Sequence, residues 1–182
     1  KLFALHGVRD SDVRMKVIEG TPTRLNCLRR GECAAVPLGQ PQDLAALSEG
    51  YRLLGLSTEA VPEFLYTVTA ARRSWAAVNQ DTVVRYVRAL AAAFRFIHDP
   101  ANRSAVVKTI VETTGVPAAV AERTLAFYFE PGRNVLPRQG EIDLAGLAQV
   151  IALMGEAGQL TAPLPAAERF VDLQYLRLAG VR

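Results

Sequence analysis

Two stretches of this 182-residue chain share one pattern. Residues 17–25 read VIEGTPTRL and residues 36–44 read VPLGQPQDL; both fit V-x-x-G-x-P-x-x-L, nineteen residues apart in register. In each, an apolar run ends at glycine, and a polar residue, a proline and an amphipathic stretch follow. Glycine frees the backbone to turn, and proline, which has no N–H, is welcome only in the first turn of a helix. The pattern therefore predicts two successive strand-to-helix turns, and few folds accommodate that repetition.

The residues on either side extend the prediction. Residues 13–18 alternate apolar and polar, the period of a half-buried strand. Thr21 is a suitable N-cap with Pro22 at the first helical position; Leu25 and Leu28 give a buried face, and Gly31 is a stop. Residues 33–38 form a short apolar run typical of a covered strand. Pro41 opens a second helix through Leu44 and Leu47 to Gly50, and residues 51–56 make a third strand. Strand, helix, strand, helix and strand with brief connections imply parallel pairing and right-handed crossovers, so the expected fold class is α/β.

Beyond residue 57 the character changes. STEAVPEF contains a proline and reads as a crossover, and residues 64–70 are β-branched and aromatic, a fourth strand. The remainder is predicted to be helical. Val83, Val87, Leu90, Phe94 and Ile97 recur at helical spacing between Asn79 and Asp99-Pro100. Further helices are expected over 105–114, 117–129 and 144–154, the last capped by Asp143, while 170–178 reads as either a strand or a short helix. The chain opens with KLFALHG, the last turns of a helix stopped at Gly7, as if in mid-element. A three-stranded sheet is narrow and a lone strand needs partners, so strands from an upstream portion are expected to complete both parts.

Composition excludes some functions. Half the residues are apolar and the net charge is +3, with Arg29-Arg30 and Arg72-Arg73 the only basic pairs, so there is no nucleic-acid footprint. Apolar runs fall short of the roughly 20 residues that span a bilayer. Cys27 and Cys33 cannot alone make a zinc site; they read as small apolar residues, with a disulfide open only to an extracytoplasmic chain. His6 and His98 lack spaced partners and read as structural or surface residues, and Trp75 is expected to pack against the long helix. No nucleophile elbow, P-loop or dinucleotide fingerprint is present, so no catalytic constellation is visible.

What remains is the pair of turns. Ligands of open parallel sheets settle beyond the carboxyl ends of strands, where helix starts present unpaired N–H groups and the positive end of the helix dipole. Gly20 and Gly39 allow close backbone approach, Thr21 adds a hydroxyl and Gln40 an amide. Such donors suit an anion or a polar ligand atom.

Four segments taken in order carry a resemblance: VIEGTPTRLNCLRRGECAAVPLGQPQDL, TVTAARRSWAAVNQDTVVRYVRALAAAFRFIHDPANR, GEIDLAGLAQVI and FVDLQYL. Together they resemble the later part of ABC-importer substrate-binding proteins for nitrate, sulfonate, taurine and thiamine-precursor ligands. The cysteines depart from that family's usual apolar residues. The resemblance implies a two-lobed type II periplasmic-binding-protein fold, incomplete at its N-terminus. Residues 1–57 would finish the second lobe, 58–63 would cross, and 64–182 would return to the first. It implies a non-enzymatic, periplasmic or otherwise extracytoplasmic receptor, possible lipid anchorage included, with a membrane permease as partner and no cofactor. Its ligand would be small and polar or anionic, such as nitrate, a sulfonate, taurine or a pyrimidine. The ligand-binding residues expected are Gly20, Thr21, Pro22, Thr23, Gly39, Gln40 and Pro41, with Tyr66 on the opposite wall. Two alternatives share the fold: a thiamine-pyrimidine-synthase-like enzyme, which would need active-site histidines, and the effector-sensing part of a transcription regulator.

Overall fold

The computed structural model describes residues 1–130 and 135–181. Ten α-helices follow one another among these residues: α1 (Leu2–Leu5), α2 (Thr21–Arg29), α3 (Gln42–Ser48), α4 (Ser57–Ala60), α5 (Arg73–Val78), α6 (Gln80–His98), α7 (Arg103–Thr114), α8 (Ala118–Tyr128), α9 (Leu144–Glu156) and α10 (Gln174–Leu178). Short 3-10 turns lie at Asp10–Asp12, Pro100–Asn102 and Ala167–Phe170.

No strand occurs among the described residues, which corrects the α/β expectation. Residues 13–18, 33–38, 51–56 and 64–70 carry the alternation or β-branching read from the sequence, yet no backbone hydrogen bond joins any of them to another. Apolar alternation describes a chain fit for a pleated surface, and a strand exists only where a neighbour completes the ladder. Here these segments leave large side chains in solvent: Val17 is 94% exposed and Leu54 70%. The region 170–178 resolves as the end of a 3-10 turn followed by α10.

The chain divides into two compact units, one of residues 1–60 with 107–130 and the other of 61–106 with 131–182. In the first, α2 packs on α3 and α1 on α4. Leu25 and Cys27 of α2, Ala46 of α3, and Ala121 and Leu125 of α8 are buried. Helix α2 stops where the sequence says it should: Gly31 takes φ +69° and its N–H bonds the Leu28 carbonyl at 3.0 Å. Cys27 then bonds covalently to Cys33, which corrects their reading as separate apolar residues. At the same end, the Arg29 guanidinium forks onto the Glu49 carboxylate at the end of α3, with Nε to Oε2 at 2.9 Å. Gly55 lies close under Leu2, whose nearest side-chain methyl group would stand 3.1 Å from a Cβ there.

The second unit is organised by α6. Val83, Val87, Leu90, Phe94 and Ile97 are all half-buried along one face, with Ala91 fully buried among them. Helix α10 packs on α6 and buries Tyr175. The predicted Asp143 cap is present: its Oδ1 accepts from the Gly146 N–H at 3.0 Å. Gly146 is itself required, because a Cβ would stand 2.9 Å from the Leu65 backbone nitrogen. The segment before α9 closes on Glu141, whose carboxylate accepts from the N–H of Arg138 at 2.6 Å and of Gln139 at 2.8 Å. Partial burial pushes that carboxyl up, and the backbone donors around it outweigh this and hold it below the usual carboxylate range.

Candidate functional site

The two helix starts predicted from the repeated pattern both exist, both lie in the first unit, and differ by about one residue from the expected caps. Gly20, not Thr21, is the N-cap of α2; it takes φ +76°, which places Thr21 and Pro22 inside the first turn. The Gly20 carbonyl accepts from the Arg24 N–H at 3.1 Å. Ahead of that bond, the N–H groups of Thr21 and Thr23 have no protein partner among the described residues, and no side chain caps them. Arg24 steadies this turn from below by donating its Nε to the Ile18 carbonyl at 2.9 Å. Thr21 is half-buried and Thr23 exposed, so the open donors face accessible space.

The start of α3 is closed by its own residues. The Gly39 carbonyl accepts from the N–H of Gln42 at 3.0 Å and of Asp43 at 3.2 Å. Asp43 Oδ1 takes the Leu44 N–H at 2.7 Å, and its other oxygen takes the Gln40 side-chain amide at 2.7 Å. Pro41, joined to Gln40 by a cis peptide, is the N-cap. Among the described residues no hydrogen bond links the two starts, although their helices pack and are bridged at the far ends by Arg29 and Glu49.

Tyr66 lies in the second unit on an extended segment, 87% exposed, its ring 6.3 Å from that of Phe64. His98 is placed as a structural residue, with Nε2 3.1 Å from the Pro137 carbonyl and 3.3 Å from that of Leu136. Trp75 departs from expectation: half its surface is in solvent, while its neighbour Ala76 is the residue of α5 that turns inward. An open cleft of about 550 Å³ lies beside it, lined by Ala70, Ala71, Arg72, Ser74, Trp75 and Val78. Sequence reasoning passed over Arg72 and Ser74; the available signal was RRSW, which brings cations, a hydroxyl and the chain's single tryptophan within four residues.

A family model described as the NMT1-like family matches residues 1–111. The matched span takes in both helix starts, Tyr66, Trp75 and all of α6. No curated protein and no solved structure matches the chain.

Proposed function

Because the chain belongs to the NMT1-like family, that of the nitrate/sulfonate/taurine-binding proteins, we propose that it serves as an extracytoplasmic solute-binding protein of an ABC importer. In this reading it performs no covalent chemistry. It captures a small polar or anionic solute and hands it to a membrane permease. The observation that carries the reading is the open start of α2 inside the family-matched span. Unpaired N–H groups at Thr21 and Thr23, at the positive end of a nine-residue helix, form an acceptor-seeking surface with no side chain filling it. Gly20 contributes by its positive φ, which turns the chain so that these donors are left uncovered.

The start of α3 plays a second role in this proposal. The N–H groups of Gln42, Asp43 and Leu44 are engaged there, so Gly39, Gln40 and Pro41 offer the Gln40 side-chain carbonyl oxygen in place of a charge-seeking row. The Cys27–Cys33 disulfide supports the extracytoplasmic placement, since such bonds persist in oxidising compartments.

The test is a thermal-shift screen of the folded protein against nitrate, taurine, alkanesulfonates and pyrimidines. A solute at a hundred times its dissociation constant stabilises by about 2.7 kcal/mol, a shift that is easily read. At least one member of the panel is expected to raise the midpoint in a dose-dependent manner. A folded protein that shows no shift with any of them at millimolar concentration overturns the assignment.

A further inference from the structure

We propose that the cleft beside α5 is a second binding site, one that takes a small aromatic carboxylate. The argument begins with the division of labour between the paired arginines. Arg73 is fully committed: its Nη2 donates to the Arg169 carbonyl at 2.9 Å and its Nη1 lies 3.6 Å from Asp172. Those contacts pin α5 to the segment before α10. Arg72 has no side-chain partner among the described residues, and neither has Ser74. Arg72 and Ser74, both lining residues with uncommitted side chains, stand at a cleft that no carboxylate lines.

The rest of the wall is apolar. Trp75 is 48% exposed and Val78 82%, with Ala70 and Ala71 beside them in the lining. The backbone that carries the indole is held, since the Trp75 carbonyl accepts from the Asn79 N–H at 3.0 Å and from the Asn79 amide at 2.9 Å. A volume of about 550 Å³ falls in the range of small-molecule sites. A guanidinium matches a carboxylate with two parallel hydrogen bonds, and an indole face stacks on an aromatic ring. An inorganic anion would use the cation and leave the tryptophan idle. A neutral aromatic would use the tryptophan and leave the cation unpaired. An aromatic acid satisfies both.

This site is built from residues of the second unit alone and can be tested apart from the helix starts of the first. Trp75 is the only tryptophan in the chain, so its emission reports this cleft alone. The whole protein is titrated with 4-nitrobenzoate, a quenching aromatic acid, and in parallel with 4-nitrobenzamide, its uncharged counterpart. Saturable quenching by the acid is expected, with the amide weaker by about tenfold. R72Q should bring the acid down to the amide's level, and S74A should weaken it by about two- to threefold. W75F, followed by calorimetry, should weaken it as well. Arg72 and Ser74 hold no other group, so both variants fold as the parent does, which circular dichroism checks. Quenching that rises linearly without saturating, equal affinity for acid and amide, or an R72Q protein that binds as the parent does would each overturn the proposal. A failed solute screen with saturable, Arg72-dependent quenching would sink only the importer reading; the converse result would sink only this one.

Discussion

The starts of α2 and α3 are written in the same pattern and finish in opposite states. Both follow an apolar segment, both carry glycine and proline, and both belong to one packed pair of helices. At α3 an aspartate sits two residues after the proline. Asp43 takes the Leu44 N–H and the Gln40 amide, so the turn is satisfied internally. At α2 the equivalent residue is Arg24, which cannot accept a hydrogen bond and turns back to the Ile18 carbonyl. The Gln42 N–H, counterpart of the open Thr23 N–H, is taken by the Gly39 carbonyl, so the backbone path through the turn and the Asp43 side chain together close the α3 start. The pattern G-x-P announces a turn, and the path of the backbone through it sets which donors are left for a ligand.

The contrast continues into how each helix is held, and the largest predicted effects test it. Helix α2 is anchored by Leu25, only 3% exposed, whereas α3 buries nothing larger than Ala46. Leu25→Ala should cost about 3 kcal/mol in urea unfolding, the usual toll of a core leucine truncated to a cavity. A Leu47→Ala change on α3, at a position already 42% exposed, should cost well under about 1 kcal/mol. Equal losses at the two sites would erase the asymmetry. Next in size is the covalent staple. The Cys27–Cys33 bond closes a seven-residue loop at the end of α2 and nothing comparable holds α3. Replacing both cysteines by alanine should lower stability by about 2 kcal/mol, and dithiothreitol should produce the same loss in the parent and none in the variant.

The glycines at the two starts give a third, smaller comparison. Gly20 stands at φ +76°, a conformation that side chains resist, and Gly39 has an ordinary backbone with open space where a Cβ would go. Gly20→Ala should destabilise by about 1 kcal/mol, while Gly39→Ala should be neutral or slightly stabilising through a stiffer unfolded chain. Denaturation midpoints of the two variants measured side by side decide it. A costly Gly39 and a tolerant Gly20 would mean that the open start is not the one held in the left-handed turn.

How much of this was legible beforehand depended on whether the signal was local. Helix α6 was readable because five apolar positions of its nineteen residues repeat at helical spacing, and all five lie on the packed face. The Asp143 cap and the Gly31 stop were readable for the same reason, since each concerns a handful of adjacent residues. The four strands were not, because pairing is a property of two segments and the sequence displays only one at a time. The disulfide likewise needed the chain to turn at Gly31 before Cys27 and Cys33 could meet. At the site, the positions of both turns followed from glycine and proline; Asp43 against Arg24 was present in the letters, whereas the backbone bond from Gln42 to the Gly39 carbonyl was not. The cleft at α5 escaped because Trp75 was read as a packing residue, when its neighbour Ala76 takes the inward place on that short helix.

The smallest predicted effect concerns the bridge that joins the two helices at their far ends. The hydrogen bonds from Arg29 hold the Glu49 carboxyl below the usual carboxylate range, with desolvation working weakly the other way. A depressed folded-state value means that the unfolded chain binds the proton first as pH falls. The bridge therefore adds stability above the ordinary glutamate value of 4.5 and loses it as pH drops through the lower folded value. Both side chains reach solvent, so the contribution is modest and shrinks in salt. Glu49→Gln should flatten part of the decline in urea midpoint between about pH 5 and pH 3, leaving the share owed to Glu141, whose carboxyl is also held low. Raising the salt should move the parent toward the variant at neutral pH. If the bridge only aligns two helices that differ at their starts, E49Q should leave the contrast between Gly20→Ala and Gly39→Ala intact; a variant in which that contrast vanished would make the bridge the cause of the open start, in place of the local turn at Gly20.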